Sequence, residues 1–167
     1  MQRNIAQLIQ QNHKILPIIN IEGELLGDEQ LIIPTIAALQ EAGVAAIEIT
    51  LRNRQSFSAL KNARKNFPSL WIAAGTVTRA QDIAPLTELN LNAIITPGIN
   101  RTLINTCQQH SMDILPGVAT PSDILLGLEF NLQFFKFFPA EALGGVAMLN
   151  ALKGPFADIQ FCATGGI

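Results

Sequence analysis

The sequence predicts an α/β fold of the (β/α)8, or TIM-barrel, type, with about seven of the strands present in one domain of 167 residues. Three observations lead there. Apolar residues make up 49% of the chain and charged residues only 14%, the balance expected of strands covered on both faces. Short apolar or β-branched runs alternate with helix-like stretches, the pattern of parallel strands joined by right-handed helical crossovers. The runs also end alike, in glycine, proline or small residues. Glycine lets a ligand come close to the backbone, so such endings suggest one ring of loops around one site, as at the C-terminal face of a barrel.

In chain order the runs are ILPIIN (15–20), AAIEITLR (45–52), LWIAAGTV (70–77), NAIITPG (92–98), DILPGV (113–118), FFKFFPA (134–140) and IQFCATGG (159–166). Between the first two lies an amphipathic stretch, DEQLIIPTIAALQEAG, with Asp28 as the expected N-cap and Gly43 just past its end. The next, SFSALKNARKNFP, is closed by Pro68. A doubly wound dinucleotide-binding sheet would carry one glycine fingerprint after its first strand, and NIEGELLGDE is a poor match. No linker, low-complexity tract or charge block divides residues 1–167. A closed barrel typically takes about 200 to 250 residues. The domain is therefore expected to be C-terminally incomplete, with the first and seventh strands left as unpaired edges.

Charge narrows the partner. A net charge of −2, with no basic run, lacks the field that holds nucleic acid or an anionic membrane, so a small molecule is expected. The opening MQRNIAQLIQQNHK breaks its apolar residues with Gln and Asn, unlike a signal peptide, and the expected location is the cytoplasm. Cys107 and Cys162 stand alone, with only His13 and His110 elsewhere, so two buried free thiols are expected and no metal site.

Alternation along a strand carries the functional argument. In FFKFFP it puts Phe134, Lys136 and Phe138 on one face and Phe135 and Phe137 on the other. In the second run it puts Ala46, Glu48, Thr50 and Arg52 on one face, looking into the barrel, with Ile47, Ile49 and Leu51 outward. Thr76 and Thr164 fall at strand ends, toward the common mouth. A carboxylate and a guanidinium are expensive to bury unless paired or used. A lysine among phenylalanines loses hydration, which penalises its ammonium and favours the neutral, nucleophilic amine. Such an amine attacks a ketone to give a Schiff base, whose iminium is an electron sink for the adjacent carbon–carbon bond. Glu48, its own pKa raised by burial, is the candidate to move protons. Two blander readings stand beside this: Lys136 reaches out of the barrel end, or it pairs with Glu48 as a structural ion pair.

The ordered set EITLR, AAGTV, TPG, PGVATPSD, FKFFPAE, GPF and TGGI resembles the 2-keto-3-deoxy-6-phosphogluconate (KDPG) and 4-hydroxy-2-oxoglutarate aldolases over essentially the whole chain. The resemblance implies a class I aldolase, a lyase that uses neither metal nor cofactor, on a TIM barrel and usually a homotrimer. It cleaves the phosphorylated sugar acid to pyruvate and glyceraldehyde 3-phosphate in the Entner–Doudoroff pathway. It implies Lys136 as the Schiff-base lysine and Glu48 as the proton shuttle. Arg52 and Thr76 would contact the pyruvate portion, with Pro97 and Phe138 shaping the pocket. Thr164 would contact substrate, and Gly165 and Gly166 would offer N–H groups to phosphate. Two departures are visible. The chain given stops at TGGI, before the eighth strand and the glycine-rich turn of the family. Leu143 replaces a small polar residue before the paired glycines, a change expected at the sugar-acid end of the pocket. Two other functions compete, a phosphosugar isomerase on a similar barrel and a catalytically silent, truncated aldolase-like barrel.

Overall fold

The computed structural model describes residues 3–11, 14–21 and 29–166, so the expected cap Asp28 lies outside the described residues. The elements follow in the order α1 (Arg3–Gln11), β1 (Ile18–Ile19), α2 (Glu29–Glu41), β2 (Ala46–Thr50), α3 (Arg54–Asn66), β3 (Trp71–Gly75) and α4 (Ile83–Glu88). After these come β4 (Ala93–Ile95), α5 (Arg101–Gln109), β5 (Asp113–Leu115), β6 (Gly117–Val118), α6 (Pro121–Leu128), β7 (Phe134–Phe137), α7 (Gly145–Lys153) and β8 (Gln160–Ala163). All pairings are parallel, and neighbours in space are neighbours in sequence.

Seven staves form, as the sequence predicts, but the fifth is broken. The run 113–118 is cut at Pro116, whose nitrogen has no hydrogen to donate. Before the cut, Leu115 O accepts from Thr96 N at 3.2 Å, and after it Pro116 O accepts from Lys136 N at 2.9 Å. One carbonyl thus serves the stave on each side. The result is a five-stranded sheet, β1-β2-β3-β4-β5, continued through the chain into a three-stranded one, β6-β7-β8. Among the described residues β1 and β8 do not pair with each other. The first strand is shorter than its apolar run, and the strand through Lys136 stops at Phe137, where the turn over residues 138–144 begins.

Alternation separates two cores. Ile47, Ile49, Ile72, Ala74, Ile94, Phe135 and Phe137 point outward into a large cluster with the helices, and Leu51 packs against it. Ala46, Ala73, Ala93, Ile95, Leu115 and Phe134 point inward, where Ile5 and Ile9 of α1 join them. Through Ile5 and Ile9, α1 shares this cluster with Ala46, Trp71, Ala93 and Phe134, each the first residue of its strand, and so stoppers the N-terminal end of the barrel. Two isoleucines four apart lie on one helix face, and Ile5 is fully buried.

The helix boundaries follow local chemistry. Gly43 takes φ of +86° just past α2, as a helix C-terminus favours. Asn53 caps α3, accepting from Ser56 N at 2.9 Å, and its own N–H donates back to Ser56 Oγ. Thr120 and Asp123 make the equivalent box at α6, with Pro121 in the first turn. No helix among the described residues is long and apolar enough to cross a membrane.

Because α1 seals the inner core, Ile5→Ala should cost about 2 to 5 kcal/mol, read as a lower urea midpoint at unchanged slope. A negligible loss would mean that α1 does not belong to the core.

Candidate active site

Lys136 and Glu48 meet inside the barrel. β7 points Lys136 inward because its neighbours Phe135 and Phe137 fill the outer core, and β2 does the same for Glu48 between Ile47 and Ile49. Lys136 Nζ lies 3.6 Å from Glu48 Oε1, with the two side chains 7% and 2% exposed. At that separation the pair is ionic without a hydrogen bond, and Glu48 Oε1 is a buried acceptor that no donor among the described residues reaches. The ammonium also sits 5.1 Å from the centre of the Phe138 ring, a cation–π contact. Lys136 is turned inward and buried, so the blander reading in which it reaches out of the barrel end does not hold.

Burial pushes the Glu48 carboxyl above its ordinary range, and the positive charges of Lys136 and Arg52 pull it partly back. Desolvation wins because only one cation is close and Glu48 Oε1 has no hydrogen-bond donor among the described residues to repay the loss of water.

Around this pair the other expected residues are placed unequally. Arg52 lies beyond the end of β2 and is largely exposed, not on the inner face of the strand. The strand ends at Thr50, and the chain turns there into the α3 cap, where Arg52 N donates to Ser56 Oγ at 3.3 Å. Its charge still reaches Glu48. Thr76, just past β3, holds φ of +58°. For a β-branched residue that is a true outlier, and such strain concentrates at functional sites. Pro97 and Phe138 are half-buried at the ends of their strands. Thr164 follows β8, its N–H donating to Phe137 O at 3.0 Å and its carbonyl accepting from Ala140 N at 2.8 Å.

Gly165 and Gly166 have φ of +94° and +81°. A Cβ on Gly165 would press on Phe138 Cδ2 and Pro139 Cα, both at 3.1 Å, and one on Gly166 would stand 2.6 Å from Glu141 Cβ. Conformation and space both demand glycine here.

A groove of about 950 Å³ is lined by residues that include Lys136 and Glu48. Its walls include Ile15 and Ile18 on one side, Val146 and Leu149 of α7 on the other, and Thr164 and Gly165. Arg52, Thr76, Pro97, Phe138 and Gly166 do not line it. Leu143 does not either; it is half-buried and packs against the outer core. The thiols also differ from expectation. Cys107 is buried, and desolvation lifts its pKa to about 12, but Cys162 is only half-buried and lines the groove. Its strand register makes it the direct neighbour of Lys136 on the inner face, a placement that no spacing in the sequence reveals.

Residues 6–167 match the family described as KDPG and KHG aldolase. The chain belongs to the KDPG and KHG aldolase family. It is 39% identical over 135 residues to the KHG/KDPG aldolase of Escherichia coli, an alignment covering 81% of this chain and 63% of that protein. The chain thus spans less than two thirds of the length of that curated relative. Among solved structures, the aldolase of Zymomonas mobilis with 3-phosphoglycerate superposes with a TM-score of 0.90 at 32% identity, covering 100% of this chain and 77% of the other. The KDPG aldolase of Legionella pneumophila, with pyruvate captured as a covalent carbinolamine, gives 0.83 at 36% identity, covering 91% and 71%. The parallel α/β architecture of this chain is that of these TIM-like barrels.

Glu48 supplies a test of its own burial. A carboxyl with a raised folded-state pKa holds its proton to higher pH than the unfolded chain does. Its contribution to stability is therefore full below the unfolded value near 4.5 and is lost as pH rises through the raised one. Over that window the urea midpoint of the wild type should fall more steeply than that of Glu48→Gln. Asp113, also raised by burial, contributes equally to both curves. Parallel curves would mean that Glu48 is solvated.

Proposed function

We propose that this family member is a class I aldolase acting on KDPG, with Lys136 as the Schiff-base nucleophile and Glu48 as the proton carrier. The observation that carries the reading is the buried Lys136–Glu48 pair at 3.6 Å. The neutral amine of Lys136 adds to the C2 ketone, and loss of water from the carbinolamine leaves an iminium. The C3–C4 bond then breaks. Its electron pair moves into the iminium to give an enamine, and the C4 hydroxyl gives up its proton to Glu48 as the aldehyde leaves. Protonation at C3 and hydrolysis release pyruvate and free the lysine. A carboxyl raised by burial is suited to both halves of that proton traffic.

The remaining residues are proposed as binding groups. Arg52 and Thr76 hold the pyruvate carboxylate, a task suited to a guanidinium, while Pro97 and Phe138 wall the pocket and Thr164 contacts substrate. Gly165 and Gly166, with consecutive positive φ, turn their N–H groups toward phosphate. The Zymomonas relative was solved with a phosphorylated acid, which supports that assignment. The same site admits 4-hydroxy-2-oxoglutarate, giving pyruvate and glyoxylate. The reaction needs no metal or cofactor, the enzyme is cytoplasmic, and the chains assemble as homotrimers. Membership of an aldolase family weighs against the isomerase reading.

The test is borohydride reduction in the presence of pyruvate, followed by peptide mass mapping. A pyruvyl adduct is expected on the peptide containing Lys136 and is lost in Lys136→Ala. A chain that unfolds cooperatively yet takes no label would instead be the silent barrel, with the motif present and idle.

A further inference from the structure

We propose that Gly75 is a positioning residue for Glu48: the missing side chain at Gly75 is the space into which the Glu48 carboxyl folds, and it fixes where that carboxyl stands beside Lys136. Gly75 ends β3, paired in register with Thr50, and its carbonyl accepts from Leu51 N at 2.7 Å. Its φ lies outside the left-handed region in which Gly43, Gly144, Gly145, Gly165 and Gly166 are found. The backbone therefore asks for no glycine.

Space does. On the inner face of β3, Ala73 pairs in register with Glu48, and Gly75 is the next inward position toward the mouth. A Cβ there would stand 2.6 Å from both Cγ and Cδ of Glu48, and closer still to Oε1. These are buried groups packed at interior density, so an alanine forces the carboxyl to move by an ångström or so. Lys136 is the group from which it would be displaced, since the pair already stands at 3.6 Å with no hydrogen bond to hold it. The glycine ending of AAGT thus makes room for a side chain of this protein, where the sequence suggests room for a ligand.

This inference rests on the reading of Glu48 as the proton carrier, and the experiment separates the two. Enamine formation breaks a methyl C–H bond of bound pyruvate and passes the proton to Glu48, so in deuterated water the methyl group exchanges. In Gly75→Ala that exchange, followed by NMR at saturating pyruvate, should slow about a hundredfold, while borohydride still traps pyruvate on Lys136. Undiminished exchange overturns the proposal.

A double-mutant cycle reads the steric relation directly. Gly75→Ala should lower the urea midpoint in the wild-type background and leave it unchanged where Glu48 is shortened, in Glu48→Ala and in Glu48→Ala/Lys136→Met, which leaves no unpaired buried charge. An equal loss in all backgrounds overturns the proposal, because something other than Glu48 would then require the glycine. If Glu48→Ala exchanges pyruvate as fast as the wild type, the proton-carrier reading fails and takes the kinetic half with it. The midpoints still decide the steric half.

Discussion

Two opposite charges taken out of water constrain everything around them, and in this chain they are Lys136 and Glu48. Each ion alone would cost several kcal/mol to bury, and neither has a hydrogen bond to the other at 3.6 Å. The pair is tolerated because the barrel interior brings two strands together that are distant in sequence, β2 and β7, with their inward positions aimed at one point. Small residues then make the room: Ala46, Ala73 and Ala93 line the same interior, and Gly75 lies beneath the carboxyl. The Phe138 ring covers the ammonium from another side. An unsatisfied Oε1 is a defect in a core meant only to be stable, and it is what a group that must accept and release protons needs.

The break at Pro116 belongs to the same arrangement. A proline in the middle of a parallel stave removes a donor, and the chain answers by serving the preceding strand with Leu115 O and the following one with Pro116 O. That second carbonyl fixes the backbone of Lys136 itself. β1 and β8 are the least buried of the strands.

Much of this was legible from residue patterns. Period-two alternation separated Phe134 and Lys136 from Phe135 and Phe137, and Glu48 from Ile47 and Ile49, because a parallel strand has only two faces and both are buried. The endings TPG, FFPAE and TGG marked one edge. What escaped the pattern had non-local causes. Arg52 has the right parity to look inward, but parity ends with the strand, and the Asn53 cap of α3 turns the chain first. Helix α1 was visible only as a polar opening segment. Its role as a stopper depends on an interior that residues 46 to 134 must first build. Leu143 has a favourable address between FFPAE and the glycines, yet its apolar side chain goes to the outer core.

The sequence by itself determined the alternation of parallel strands and helices, the inward direction of Lys136 and Glu48, and the glycines that allow tight turns, because these depend on neighbours a few residues away. Only the tertiary structure decided that the two charged groups meet, that Cys162 stands next to Lys136, that Gly75 is empty for the sake of Glu48, and that Thr76 takes an unfavourable φ at the mouth. Each of these is a distance or a strain set by the register and curvature of separate strands. Register is fixed by the packing of the whole barrel, which no local stretch encodes.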